Sequence, residues 1–376
     1  MNEFCPLPWI NINVDIDGQL LPCCKWTPGD IKLPNLKEGR IDELWNGEAF
    51  KTIRQKFLDG EKLKECRECW NMEDAGMTSY RQSVRETRWV ENGTYSGVLA
   101  SPPKMYDFMF SNLCNMKCRI CTGEFSSLIL NENIKLGVTH NKPEHKYWLN
   151  SKILETENEP ILMSWLTDCK TIQMTGGEPT ISSENIKLLD TIIEMGYAKN
   201  ITFSMNTNAK IVSHKFLDKL EKFNKVRISL SIDDIGKRFE YQRHPSKWTT
   251  ILGNIDKYID TSFETIIWCT VSLFNVYYIQ ELLDWAPCKV KLNTLHLPEH
   301  YNIKNIPNFT KELLEDKFEG DERLTGIVNF MNQPSDIESS TLIFDALQEI
   351  HKLDLHREQS FSTIFPEWYE ELNFGV

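Results

Sequence analysis

Long apolar runs are missing from this chain. No uninterrupted stretch approaches the ~20 residues needed to cross a hydrocarbon core, so no helical membrane span is expected. The opening residues, MNEFCPLPWI, lack a basic segment followed by an apolar one, so no secretory leader is read there. Positive charge is also short. Lys and Arg number 42 against 54 Asp and Glu, a net charge of −12. Such a balance makes a poor non-specific binder of nucleic acid or anionic membrane. There is no internal repeat and no low-complexity tract. The expectation is a cytoplasmic globular protein with no membrane partner, and nucleic acid is disfavoured.

Cysteine, by contrast, is plentiful, with eleven in 376 residues. A chain of this length buries a core without covalent staples. In a reducing compartment, clustered cysteines speak for metal or catalysis rather than disulfides. Cys5, Cys23, Cys24, Cys66 and Cys69 fall in the first seventy residues, and Cys114, Cys118 and Cys121 fall together. Cys169, Cys269 and Cys288 are scattered in apolar surroundings and read as buried structural thiols.

Four parts follow from composition and periodicity. Residues 1–78 are rich in Pro, Gly, Trp and Cys. Their one good helix is DELWNGEAFKTIRQKFLDG, with Leu44, Phe50, Ile53 and Phe57 at helical spacing. Residues 79–103 read as a polar linker ending in a proline stop. Residues 104–299 alternate strands (104–110, 169–175, 201–207, 226–233, 265–273, 289–297) with helices near 182–195, 213–223, 246–259 and 276–285. That alternation predicts parallel βα units whose short apolar strands are buried on both faces. Six strands fit an incomplete βα barrel, and a doubly wound sheet would give the same alternation. Residues 300–376 read as an acidic helical extension with Phe361, Phe365, Trp368 and Tyr369, and a cap over an open barrel end is one use for it.

The chemistry concentrates in SNLCNMKCRICTG, residues 111–123. Its C-x3-C-x2-C array follows the first barrel strand. Three thiolates in one loop can grip three corners of an iron–sulfur cluster. A structural zinc site wants four ligands, and the nearest histidine, His140, lies beyond the loop. The open iron then awaits an outside ligand.

This spacing after a first strand resembles the radical S-adenosylmethionine (SAM) family. Further matches stand at successive strand ends, the face on which βα barrels carry active sites. TGGEP supplies Gly176, Gly177, Glu178 and Pro179, the family's motif for the SAM ammonium. MNTNAK supplies Asn206 and Asn208 at a family turn, with Ala209 where the family has glycine. SLSIDD supplies Ser231 and Asp233. Arg243, in YQRHPSKW, matches a partner of the SAM carboxylate. Asn275, in SLFN, matches a polar position, although as a bare residue it reads equally as a helix N-cap. Ile120 matches an apolar residue that packs on adenine. The resemblance implies a partial six-stranded βα barrel of the radical SAM type over roughly 104–297. It further implies a [4Fe-4S] cluster on Cys114, Cys118 and Cys121 as the catalytic centre, with SAM on its open site.

The N-terminal cysteines resemble the SPASM/twitch auxiliary-cluster module, here placed before the barrel. Its elements are Cys5, the DGQLLPCC hairpin, the helix after it, and Cys66-x2-Cys69. Asp17-Gly18 between apolar strands is a two-residue hairpin signal. The family pattern puts the ligand after Pro, hence Cys23. Neighbouring side chains of an extended segment point to opposite faces, so Cys24 is not expected on the same cluster. The set Cys5, Cys23, Cys66 and Cys69 implies one auxiliary [4Fe-4S] cluster, with a zinc ribbon as the rival reading.

Taken together, the resemblance implies reductive SAM cleavage and hydrogen abstraction from a substrate, with a flavodoxin- or ferredoxin-type donor and an auxiliary cluster in electron transfer. A peptide or protein substrate is expected first, with a sugar, nucleotide or RNA as alternatives. An iron–sulfur electron carrier or a zinc-stapled binding protein are the rivals from other classes. GGEP and Arg243 speak against both, because neither needs an amino-acid pocket.

Overall fold

A computed structural model describes residues 3–87, 90, 95–138, 157–334 and 339–373; His140 lies outside them. Ten strands occur among the described residues. In chain order they are β1 (Asn11–Val14), β2 (Leu20–Leu21), β3 (Met105–Phe108), β4 (Lys117–Cys118), β5 (Thr171–Met174), β6 (Thr202–Thr207), β7 (Lys225–Ser231), β8 (Arg243–His244), β9 (Glu264–Val271) and β10 (Val290–Thr294). Eight form one sheet in the order β10-β9-β7-β6-β5-β3-β1-β2. All neighbours pair in parallel except β2, which returns antiparallel to β1. The six strands expected between residues 104 and 297 are all present, with helical crossovers Ser183–Glu194, His214–Leu220, Trp248–Ile259 and Ile279–Trp285. No helix among the described residues is long and apolar enough to cross a membrane.

The expected burial on both faces holds in β1 and in β3 from Tyr106 onward, but not in β6. In β6, Phe203, Met205 and Thr207 are buried, whereas Thr202, Ser204 and Asn206 are half-exposed. The buried side packs under the crossover helices on Leu188, Leu189, Ile192, Phe216, Ile251 and Ile255. Removing a side chain such as Phe203 from water contributes about 1.5–3 kcal/mol. The other face of β6 is polar and belongs to the inner, lumen side of the sheet. The register aligns Asn13, Asp107, Gln173 and Ser204 across one row. It also aligns Ser231, Trp268 and Lys291 across another.

The N-terminal segment is built into this sheet. β1 extends the β3 edge, pairing Asn13 with Asp107. The β1–β2 hairpin closes with three residues between Asp15 and Gln19, not two. Asp15 N donates to Gln19 O at 3.1 Å, and Gly18 takes the left-handed φ of +85° that such a loop needs. The expected single helix near 42–60 is two, Ile41–Trp45 and Glu48–Leu58, broken at Asn46-Gly47. The break lets buried Arg54 reach back to Trp45 O at 3.0 Å, Pro8 O at 2.8 Å and Val98 O at 3.0 Å. Residues 79–103, read as a linker, contain the helix Tyr80–Arg85 with a Ser79/Gln82 capping box. Gly97 and Ser101 carbonyls accept from the Trp9 and Trp45 indoles, so this stretch is pinned to the module.

The C-terminal region is helical: Asn308–Phe318, Thr325–Met331, Ser339–Arg357, Phe361–Ile364 and Pro366–Asn373. Phe361, Phe365 and Trp368 are buried and Tyr369 is exposed. The Trp368 indole donates to Leu273 O at 2.6 Å, which seats this end against the loop after β9.

Candidate functional site

The three-cysteine loop leaves β3 and is fixed on both sides. β4 within it pairs antiparallel with β8, setting Cys118 opposite Arg243. Arg119 N donates to Gln242 O at 2.8 Å, and Ser126 Oγ to Met116 O at 2.8 Å. The thiols share one half-buried region, where each of Cys118 and Cys114 raises the Cys121 pKa beyond what burial does. Burial pushes Cys114 up to about 11. It also raises Cys118, against the opposing charge of Arg243. Metal binding overrides such shifts by deprotonating the thiol.

GGEP docks against this loop. Gly176 has φ +109°, and a Cβ there would lie 2.8 Å from Met109 Cγ and Ser111 O. A Cβ on Gly177 would lie 2.1 Å from Leu113 O. The Gly177 and Glu178 amides donate to Ser111 O at 3.0 Å and Leu113 O at 2.8 Å. Pro179 is buried and begins a single turn ending at Ile181. The Glu178 carboxylate was expected to meet an ammonium. It is instead buried and already accepts from Thr180 Oγ1 and Thr207 Oγ1, both at 2.7 Å, and from Asn208 N at 2.8 Å. It ties β5 to the end of β6.

Asp233 and Asn275 also differ from expectation. Asp233, 1% exposed, is the counterion of Arg243, accepting from Nε at 2.8 Å and Nη2 at 2.7 Å. Asn275 donates to Asp233 O at 2.8 Å and Thr270 O at 3.0 Å, and accepts from Ser272 N at 2.8 Å. It joins the ends of β7 and β9. Its side chain does not cap the following turn. What remains beside the thiols is Arg243 Nη1, 3.8 Å from Cys118 Sγ, and Asn208 Nδ2, 3.9 Å from Cys114 Sγ and 2.8 Å from Asn115 Oδ1. Half-exposed Ile120, Asn206 and Ser231 complete the surround. Ala209 takes the left-handed φ of +58°, so it adopts the glycine-like turn despite its methyl.

The second thiol set assembles from three segments. Cys5 precedes β1, Cys23 follows β2, and Cys66 and Cys69 flank the start of the helix Arg67–Asp74. Cys5, Cys66 and Cys69 all act electrostatically on Cys23, and burial pushes Cys5 up to about 12. Cys24 acts on Cys23 as well and bonds the Asp107 carboxyl. Arg81 clamps the set, bonding Glu73 Oε1 at 2.7 Å and Phe4 O at 3.0 Å while its Cζ lies 4.1 Å over the Trp70 ring. Cys169 and Cys269 are buried and Cys288 half-buried.

Sequence reasoning missed three groups. Asp107 is buried in β3, accepts from Thr175 Oγ1 at 2.8 Å, and is pushed by burial to about 6. Its signal was present: it is the lone charge inside MYDFMF. Lys291, whose Nζ lies 4.7 Å over the Trp268 ring, faces the same lumen. The third group is the salt-bridge set Arg119, Asp354, Glu132 and Arg357, discussed below.

Both sets are pure thiol donors, which suits iron–sulfur clusters. Among the described residues, no three His, Cys, Asp or Glu side chains converge on one ion position. Ligands spread over the corners of a cluster stand farther apart than ligands around one ion. A parallel sheet carrying an open three-thiol loop at a strand end defines a cluster-dependent βα-barrel protein. The model of the radical SAM superfamily matches residues 108–286, and that of the SPASM iron–sulfur cluster-binding domain matches residues 5–70. The chain thus carries a radical SAM domain, with a SPASM module on its N-terminal side. That family's cofactors are a [4Fe-4S] cluster and SAM, and the module's are auxiliary iron–sulfur clusters.

No curated protein matches the chain. Among solved structures it is similar to anSMEcpe with bound AdoMet (17% identity, TM-score 0.37), covering 57% of this chain and 60% of that one. It is similar to Streptococcus suis SuiB bound to the precursor peptide SuiA (15%, TM-score 0.39), covering 83% and 69%. It is also similar to TYW1 with a lysine-pyruvate adduct (16%, TM-score 0.30), covering 57% and 72%. The chain thus spans about 60% of the length of the anSMEcpe structures it matches.

Proposed function

We propose that this chain is a radical SAM enzyme acting on a peptide or protein. When bound, the cluster and SAM would supply radical chemistry: one-electron reductive cleavage of the sulfonium and hydrogen abstraction from the substrate. The protein's part is to bind, orient and exclude water. Cys114, Cys118 and Cys121 hold three cluster corners. Asn206, Asn208, Ser231 and Arg243 Nη1 offer polar contacts to the amino-acid and ribose parts of SAM, Ile120 offers an apolar surface for adenine, and Gly176, Gly177 and Pro179 shape the wall.

One observation supports this reading: a three-thiol loop follows β3, and a second thiol group gathers at the ends of β1 and β2, which pair into the same sheet. The four-thiol set, Cys5, Cys23, Cys66 and Cys69, leaves no position for substrate and is assigned to electron transfer. A flavodoxin- or ferredoxin-type donor feeds the first set. The peptide reading is supported by the lumen lining. Gln173, Asn206 and Asn293 supply paired amide donors and acceptors, flanked by the Asp107 carboxyl and the Lys291 ammonium. Peptide groups present the same pairing.

The test is anaerobic reconstitution with dithionite and SAM, followed by mass spectrometry against peptides encoded beside the gene. Release of 5′-deoxyadenosine is expected, with loss on replacing any of Cys114, Cys118 and Cys121 by Ala. Normal turnover in those variants would sink the assignment. Modification of a sugar or an RNA but of no peptide would move the substrate to the alternative class.

A further inference from the structure

The C-terminal helix Ser339–Arg357 ends on the outside of the three-cysteine loop, and two of its charged residues grip the loop itself. Arg119, between Cys118 and Cys121, has a fully buried side chain. Its Nη2 donates to Asp354 Oδ1 at 2.5 Å and to Gln359 Oε1 at 3.0 Å, and its Cζ lies 3.7 Å over the Tyr241 ring. Asp354 also accepts from Tyr241 OH at 2.7 Å and Phe361 N at 2.6 Å. One turn on, Arg357 donates to the carbonyl of Lys117 at 3.0 Å and forks onto Glu132 at 3.1 Å and 2.5 Å. Lys117 Nζ bonds the same Glu132 at 2.8 Å. Burial alone would raise Glu132, yet its hydrogen bonds to Arg357 and Lys117 and their charge hold it at about 2.

We propose that Asp354 and Arg357 are positioning residues for the cluster-binding loop, fixing residues 117–119 from outside and setting the charge beside the cluster. A helix could dock on this face through apolar contacts, whereas here a charged bond between Arg119 and Asp354 and a donation from Arg357 to the Lys117 carbonyl reach loop residues on either side of the ligand Cys118. Such bonds orient ligands, and the net charge around a cluster sets its potential. Arg357 is a cation near the cluster and favours the more negative, reduced state. Asp354 neutralises Arg119 and favours the oxidised state. The two therefore act with opposite sign.

This inference rests on the reading of Cys114, Cys118 and Cys121 as ligands of a SAM-responsive cluster. The experiment is redox titration of the full-length reconstituted protein, following the electron paramagnetic resonance signal that SAM perturbs. Iron content and the melting temperature are measured alongside. In Asp354→Asn the midpoint is expected to rise, and in Arg357→Gln to fall. Each shift should change the reduced-to-oxidised ratio at the wild-type midpoint by about threefold or more. Arg357→Lys, which keeps the charge, should return the midpoint toward wild type while the signal's line shape still differs, because the Lys117 carbonyl contact is lost. Should Asp354→Asn fail to load iron, the Arg357 pair decides alone. Wild-type midpoint and line shape in Arg357→Gln with iron retained, or shifts of the same sign in the Gln and Asn variants, would overturn the proposal. Absence of any SAM-responsive signal in the wild type would instead overturn the ligand reading beneath it.

Discussion

Replacing Gly177 by Ala tests whether GGEP acts by docking the cysteine loop. The added Cβ would lie 2.1 Å from Leu113 O, 2.6 Å from Leu113 C and 2.7 Å from Asn112 C, all of them backbone atoms. Backbone cannot swing aside as a side-chain tip can, so the segment entering Cys114 must retreat by about 1 Å. That retreat loosens two hydrogen bonds, Gly177 N to Ser111 O and Glu178 N to Leu113 O. With overpacking at ~1–3 kcal/mol and each bond at ~0.5–1.5 kcal/mol, the loss of stability should be about 2–6 kcal/mol. A displacement of ~1 Å at a reacting centre costs ~10²-fold in rate, so SAM cleavage should fall by that order even in protein that still binds iron. The internal control is Gly253→Ala. Gly253 is exposed in the helix Trp248–Ile259, and its Cβ would meet nothing within 4 Å. That variant should gain ~0.5–1 kcal/mol. Thermal melts and a 5′-deoxyadenosine assay on both variants decide the matter. Wild-type melting and cleavage in Gly177→Ala would show that the loop does not lean on this glycine.

Asp107→Asn should make the protein more stable at neutral pH. The carboxyl is raised from 3.8 to about 6 by burial, so its contribution is full below the unfolded pKa and is lost as pH rises through about 6. The variant-minus-wild-type difference in unfolding free energy should grow by roughly 1–2 kcal/mol between about pH 5 and about pH 7.5; a difference flat with pH would contradict the assignment. Cys66→Ala and Cys69→Ala should lower iron content and block product while sparing SAM cleavage, and unchanged iron would mean that the second site is misassigned. Arg54→Gln should destabilise by about 3–5 kcal/mol, because Pro8, Trp45 and Val98 carbonyls lose a buried charged donor; a loss under 1 kcal/mol by denaturant melt would refute that role.

The strands were legible because VRISLSID and ITFSMNT are short apolar runs between turn signals, and such runs must be covered by helices. Cys23 and Cys24 lie past β2 in a bend and turn, so the period of a strand does not separate them. The polar inner face was not legible. Gln173, Ser204 and Asn206 sit among apolar neighbours, and only the sheet's curvature decides that their side remains open. Glu178, Asp233 and Asn275 were read as ligand contacts from their address at strand ends. That address is right, but closing the strand ends demands hydrogen-bond partners of its own, and these three supply them. Arg119 and Asp354 lie 235 residues apart, and no local pattern carries a contact of that separation.

Placing the auxiliary module before the barrel has a geometric consequence. β1 leads out of Cys5, β3 leads into the three-cysteine loop, and the two pair in parallel with Asn13 opposite Asp107. A slip of one residue would turn every side chain of β1 to the other face. Asn13 would leave the lumen, and Ile12 and Val14, now buried in the core, would enter it. The hairpin carrying Cys23 and Cys24 hangs from β1, so the same slip would misplace Cys23 relative to Cys66 and Cys69. Register is therefore enforced by the hydrophobic core, and the core in turn fixes the separation of the two thiol sets. A mobile tether could not do this. The pinning of residues 95–101 by Arg54, Trp9 and Trp45 belongs to the same design, because it holds the stretch that feeds β3. One strand pair with its apolar face thus fixes the distance between the two thiol sets.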